Sequence, residues 1–316
     1  MHMTQIHTSM TAQPRQSSSW WHRNQRKLAP YIFISPFFIL FLVFGIYPIL
    51  YSLWLSFFKG FGFDKKTFFG FGNYIHLFQD PRYYTAVLNT TKYALGSLFV
   101  LTPLALIMAL AINSLFVRWK GLYRVGLFFP VITSTVVITV IFARVLDTQY
   151  GLLNVALGWF GIPQIGWLTD QPVVMPAFIL IGIWTYLGIN TLFWMAGLNA
   201  INKEYYEAAM IDGANRWQAF WTITLPLLKP VTLFIVIQAI IGSYNLFAEP
   251  LLLTSGGPSD ASLTITLYVY TQGFQNFNVG YASAIAYSMT LLLLILSVLN
   301  IKLFGGYGTA ASSDVA

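Results

Sequence analysis

The sequence contains no cysteine and very little charge: Cys is 0, and Asp, Glu, Lys and Arg together make 9% of 316 residues. The first absence excludes disulfides, thiolate metal sites and a cysteine nucleophile. The second excludes an ordinary soluble domain, which carries about 25% charge. So few charges could not cover a surface facing water, and the solvent must be largely lipid. Histidine is sparse as well. His2, His7, His22 and His76 never pair at helical metal-ligand spacing, which argues against a metal centre. No G-x-x-x-x-G-K-[ST] run occurs, so the chain lacks that phosphate-cradling loop.

Apolar residues are what the chain has in excess, at 57%. A bilayer core of ~30 Å takes about 20 apolar residues in a helix. Six windows without Asp, Glu, Lys or Arg approach or exceed that length: 28–58, 93–117, 125–143, 171–202, 230–248 and 261–301. They predict an all-α membrane protein with six transmembrane helices, at about 31–57, 92–112, 125–146, 173–198, 230–252 and 280–303. Residues 1–29 are polar, and the apolar run after them is far longer than a signal h-region of ~7–15 residues, so it should stay as an anchor. Pro36 and Pro48 predict kinks in the first span, and Pro130 predicts a bend in the third. The stretch from Lys59 to Thr90 reads as an extracytoplasmic connection with a short helix and interfacial aromatics. The residues after Lys302, rich in Gly, Ala and Ser, predict disorder.

The net charge of +7 has a bland explanation, because Lys and Arg accumulate on the cytoplasmic side of membrane proteins. With the N-terminus inside, eleven basic residues fall in inside segments and six in outside segments. Both termini are then cytoplasmic, and so is the connection 202–229.

That connection, NKEYYEAAMIDGANRWQAFWTITLPLLKP with the following Pro230, is the most polar one in the second half. Asn202 suits an N-cap, and Glu204 suits the positive end of a helix dipole. Asp212-Gly213 should stop the helix, since Gly accepts the left-handed conformation. Asn215 can cap a second helix carrying Trp217, Phe220, Trp221 and Thr224 on one face, with Leu225-Pro226 ending it. The expected device is helix, tight turn, helix, with small Ala208 and Ala209 admitting close approach and Glu207 offering a charge to a partner.

Glu207-Ala208-Ala209, then Asp212, Gly213, Ile223, Leu225 and Pro226, stand at the spacing of the "EAA" loop. With FGNYIHLFQDPRYYTAVLNT, YGLLN, LLLTSGGP and FQNFNVGYASA, the chain resembles the permeases of type I binding-protein-dependent ABC importers. Within these it is similar to the carbohydrate-uptake kind, the maltose and lactose permease family, over about residues 30–305. Ile201-Asn202 departs from the frequent Ile-Pro of that family. The resemblance implies residues 1–29 as a cytoplasmic tail and 30–85 as first helix with extracytoplasmic segment. It implies 86–304 as permease core with a coupling loop at 202–229, and 305–316 as a C-terminal tail.

It further implies a second, usually different permease subunit, two ATP-binding subunits beneath that carry ATP and Mg, and an extracytoplasmic sugar-binding protein. The chain itself would bind no cofactor, no nucleic acid and no metal, would not be an enzyme, and would sit in lipid in a prokaryotic cell (inner) membrane.

For the sugar path, polar and aromatic groups inside spans are the candidates, since such groups are costly in a membrane unless paired or functional. They are Trp184, Tyr186 and Asn190 on the fourth span and Gln238, Ser243, Tyr244, Asn245 and Glu249 on the fifth. Gly242-Ser243 and Pro250 are expected bending points. Packing and helix–helix hydrogen bonds are the competing roles for Trp184, Tyr186, Gln238 and Ser243. The substrate expected is a sugar, with an oligosaccharide favoured by the Phe247-to-Pro250 run and a glycerol-phosphate or polyol as the alternative. An ion-gradient-driven secondary transporter is the competing class; it expects charged residues buried mid-span, where only Glu249 comes close.

Overall fold

A computed structural model describes residues 20–60, 62, 66–113 and 120–304. The chain divides into two units, Met1–Ser52 and Leu53–Ala316. The described part of the first is helical: α1 (Trp20–Phe41) runs through a π turn at Leu42–Ile46 into α2 (Tyr47–Leu55), whose last three residues belong to the second unit. The apolar helix Arg26–Leu55 has none of its most apolar window buried, and Tyr31, Phe33, Phe37 and Phe44 stand open. A row of such side chains needs hydrocarbon around it, since nothing in the helix itself shields them.

The second unit opens with a minimal hairpin, β1 (Phe58–Lys59) antiparallel to β2 (Thr67–Phe68), and α3 (Gly72–Leu77). The expected connection Lys59–Thr90 therefore holds more structure than one short helix. It also includes the start of α4 (Pro81–Gly96), where Asp80 caps the helix and Pro81 takes the first position, which requires no N–H donor. The helix that carries the expected second span, 92–112, thus begins at Pro81. It continues through a π turn at Ser97–Leu101 into α5 (Thr102–Asn113).

Then come α6 (Lys120–Ile132) and α7 (Thr135–Val145), meeting at 103°. The break falls at Thr133-Ser134, just after Pro130, where the sequence predicts a bend. α8 (Leu152–Gly158) leads to α9 (Gln171–Ala200), the long helix on which the unit is packed. α10 (Lys203–Ile211), α11 (Arg216–Ala219), a π turn at Phe220–Thr224 and α12 (Leu225–Leu227) form the next connection. α13 (Lys229–Tyr244), a π turn at Pro250–Thr254, α14 (Ile265–Tyr270), a π turn at Thr271–Gln275 and α15 (Val279–Phe304) complete the described chain. The expected disordered tail after Lys302 falls largely outside the described residues.

Among the described residues, four helices are long and apolar enough to cross a membrane, or up to six if each of two bent pairs counts as one span. Three of the π turns end two residues before a proline: Leu42–Ile46 before Pro48, Ser97–Leu101 before Pro103, Phe220–Thr224 before Pro226. Proline cannot donate to the carbonyl four residues back and its ring strikes that carbonyl. In all three cases that carbonyl belongs to the middle residue of the widened turn (Phe44, Phe99, Thr222), so the extra residue makes room for the ring.

Small residues let the helices close up. A Cβ on Gly188 of α9 would lie 1.8 Å from the Leu127 carbonyl oxygen of α6, so only glycine admits that crossing. Ala105, Ala109 and Ile112 of α5 pack with Trp194, Met195 and Leu198 of α9 and Leu228 and Ile235 at the α13 end. A second core joins Ile138 and Phe142 of α7 to Val174, Phe178 and Ile181 of α9. A third joins α4, α13, α14 and α15 through Ala86, Ile240, Tyr244, Ile265 and Ile285.

Candidate functional site

Two places carry chemistry, and each follows from local sequence. The first is the connection 202–229. The Asn202 side chain accepts from the Glu204 amide at 3.1 Å and starts α10. Its end is closed by Gly213, at φ +81°, with the Ala214 amide reaching back to the Ala209 carbonyl at 2.9 Å. With the Gly213 amide bonded to the Met210 carbonyl at 3.1 Å as well, this is a Schellman closure, and a Cβ at Gly213 would be strained by its backbone angle alone. Asn215 and Gln218 then form a reciprocal capping box, at 2.9 and 2.8 Å. The two helices are tied by the Tyr206 hydroxyl and Thr224 Oγ1 at 2.9 Å.

The helix does not end at Leu225-Pro226. The π turn takes up the proline, the helix continues to Leu227, and the chain turns by 64° into α13 at Lys229. The widened turn also disturbs the expected face, yet Trp217 still meets Phe220 and Trp221 at 6.1 and 5.6 Å between ring centres. Glu207, Ala208, Asp212, Gly213 and Pro226 are exposed; Ala209, Ile223 and Leu225 are half-buried. Beside them Ile211 is 86% exposed, and Met210, Trp217 and Trp221 are also open to solvent. Apolar side chains of this size held outward on a polar elbow form a surface suited to a partner.

The second place is a cavity of about 500 Å³ between α4, α7, α9 and α13. Tyr186, Asn190, Gln238, Ser243, Asn245 and Glu249 all line it. The middle of α9 supplies the first two, and α13 and its continuation supply the rest. The Asn190 and Asn245 amides donate back to the Tyr186 and Ile241 carbonyls at 2.9 and 2.8 Å, leaving their side-chain oxygens for a guest. Tyr186, Phe193 and Phe247 add aromatic faces.

Two of the expected path residues are elsewhere. Trp184 packs edge-on against Phe142 at 5.4 Å, and Tyr244, 2% exposed, bonds through its hydroxyl to Thr91 at 2.9 Å. The helix of the expected fifth span, 230–252, is interrupted. α13 continues through Gly242-Ser243 and stops at Tyr244, residues 245–247 run outside helix, and helix resumes at Ala248 before the π turn that starts at Pro250. That break turns Asn245 and Glu249 toward one space. Tyr93, Ser97 and Thr135 line the cavity too and were missed. Tyr93 and Ser97 stand four apart on one face of an apolar span, a spacing that does not by itself mark a cavity.

A hydrogen-bonded cluster fixes the loop 254–264 to α4. The Asp80 carboxylate accepts from the hydroxyls of Tyr268 and Tyr281, the latter at 2.6 Å, and from the Arg82 amide at 2.9 Å. Burial alone would raise the Asp80 carboxyl, but these donors outweigh it and hold it below its ordinary value. Arg82 pairs with both Asp260 oxygens at 2.8 and 2.9 Å, and the Asn89 amide donates to the Asp260 carbonyl at 2.8 Å.

With elbow, cavity and loop in place, the comparisons give the class. Residues 101–303 match the family described as binding-protein-dependent transport system inner membrane component. The arabinooligosaccharides transport system permease protein of Bacillus subtilis (strain 168) is 37% identical, covering 89% of this chain and 90% of its own. The sn-glycerol-3-phosphate transport system permease protein of Agrobacterium fabrum (strain C58 / ATCC 33970) is 31% identical over 86% and 92%. Among solved structures, a bacterial ABC transporter involved in the import of the acidic polysaccharide alginate aligns at TM-score 0.79 and 24% identity, covering 92% of this chain and 99% of that one.

The chain belongs to the family of binding-protein-dependent transport system inner membrane components. It is a multi-pass membrane permease subunit of a sugar ABC importer, and its work is transport, not enzymatic catalysis.

Proposed function

We propose that this chain forms half of the path of an ATP-driven oligosaccharide importer and is moved through the elbow 202–229. The observation that carries the coupling role is the elbow's construction. It is closed by its own caps and by Gly213, and it presents Met210, Ile211, Trp217 and Trp221 outward. Two ATP-binding subunits, which hold ATP and Mg, grip that surface; this chain binds neither. A second permease subunit completes the path, and an extracytoplasmic sugar-binding protein delivers the substrate.

The bundle takes six spans, with each bent helix pair crossing once and both termini and the elbow in the cytoplasm of a prokaryotic cell. The cavity then lies beside the middle of α9, at mid-membrane depth. Its mix of amide and hydroxyl groups with aromatic faces suits sugar rings. The likeness to an arabinooligosaccharide permease supports the oligosaccharide reading. The likeness to a glycerol-3-phosphate permease supports a second reading, in which the substrate is a phosphorylated polyol.

The test is uptake by the complete complex in proteoliposomes. Uptake should require ATP and be lost in Glu207→Arg. Uptake that survives this change and follows a proton or sodium gradient would overturn the proposal.

A further inference from the structure

One carboxylate stands out in the cavity. Glu249 is 5% exposed and lines the space, yet no side chain donates to it and no ion pair includes it among the described residues. The lining contains no Lys, Arg or His to answer it; its other polar members are Tyr93, Ser97, Thr135, Tyr186, Asn190, Gln238, Ser243 and Asn245. A buried carboxylate answered only by its own backbone amide is costly, and in a membrane bundle such a group marks a functional position. It sits where helix resumes at Ala248, after the break at residues 245–247 and directly before the π turn that starts at Pro250.

We propose that Glu249 is the charge filter of this half of the path: it accepts hydroxyl groups of neutral sugars and excludes anionic substrates. The inference rests on the sugar-path reading of the cavity. It also decides between the two substrate readings, because a phosphate or carboxylate would meet a like charge with no cation nearby. In a narrow, poorly polarisable space that repulsion is weakly screened. A neutral sugar meets only an acceptor, and two adjacent hydroxyls can donate to its two oxygens.

The absence of native cysteine makes the field in the cavity directly measurable. Ala239→Cys places a single thiol of this chain in the same lining. In the assembled complex, its reaction with a cationic and an anionic methanethiosulfonate of similar size is followed by the mass of this chain. With Glu249 present, the ratio of cationic to anionic rates should exceed that of a free thiol by about tenfold or more. Adding Glu249→Gln should bring it close to the free-thiol value, while Glu249→Asp should keep most of it. A ratio unaffected by Glu249→Gln overturns the proposal.

The second arm uses protection of the same thiol, without the binding protein, by a neutral arabinooligosaccharide and by its terminal aldonic acid. Neutral sugar should protect at about tenfold lower concentration than the acid, and Glu249→Gln should bring the two together. Equal protection by both with Glu249 intact also overturns the filter. If Glu249→Gln collapses the rate ratio but neither sugar protects, the charge filter stands and the arabinooligosaccharide reading fails.

Discussion

The elbow 202–229 and the loop 254–264 are both irregular connections between apolar helices; both carry bonds within their own length, the loop's including Thr254 to Ser262 at 2.7 Å, and the loop adds ties to α4. The elbow is closed by bonds within its own length: Asn202 to Glu204, Ala214 to Ala209, Asn215 to Gln218, Tyr206 to Thr224. The loop is held by its own bonds and, in addition, by residues far away in sequence. Asp260 is gripped by Arg82 and Asn89, and the Thr90 hydroxyl accepts from the Ile265 amide at 3.0 Å. Asp80 joins Tyr268 to Tyr281. An element closed on itself keeps its shape while moving as one piece. An element stitched to neighbouring helices moves only with them. Under the proposed function the elbow is the handle and the loop a fixed point.

Breaking the handle should have the largest effect. Gly213→Pro forces φ to about −65° where the turn needs a positive angle, and it should abolish ATP-dependent uptake. The milder Gly213→Ala meets no neighbouring atom within 4 Å, so it isolates the backbone strain, about 1–2 kcal/mol, and should lower uptake only in part. Proteoliposome uptake measures both. Next in size, Asp80→Ala removes a helix cap and leaves two tyrosine hydroxyls short of an acceptor. It should destabilise the solubilised protein by about 2–4 kcal/mol, read as a lower unfolding temperature. Asn215→Ala, which removes one half of the capping box, should cost about 1 kcal/mol by the same assay. Arg82→Ala breaks a pair exposed by 49% and 35%, and should cost about 1 kcal/mol or less, shrinking further in salt.

Acid separates the two regions as well. The folded Asp80 carboxyl lies below its ordinary value of 3.8, so the folded state holds its proton less readily than the unfolded one. Its contribution is fully present above that ordinary value and is lost as pH falls through the lower, folded one. Unfolding temperature against pH should therefore show an acid-side loss that Asp80→Asn removes.

The elbow was legible in the sequence because capping is local. Asn202, Gly213 and Asn215 each act within a few residues, and the six expected apolar windows likewise depend only on runs of side chains. What could not be read was whatever needs two distant segments. The cavity exists because α4, α9 and α13 meet, so Tyr93 and Ser97 give no sign of it alone, and Trp184 could not be told from a lining residue. The interruption after Tyr244 gives no sign in the apolar run, which continues through Leu251-Leu252-Leu253. The prolines promised disturbances in the helices; that three of them would be met by a widened turn required the backbone.

The central claim concerns which side of the membrane the elbow faces and what covers it. Ile211→Cys, at the most open apolar position of the elbow, gives the chain a unique thiol for an impermeant maleimide. The account predicts no labelling in intact cells, labelling in inside-out vesicles stripped of the ATP-binding subunits, and protection when those subunits are restored. Labelling from outside intact cells would contradict it.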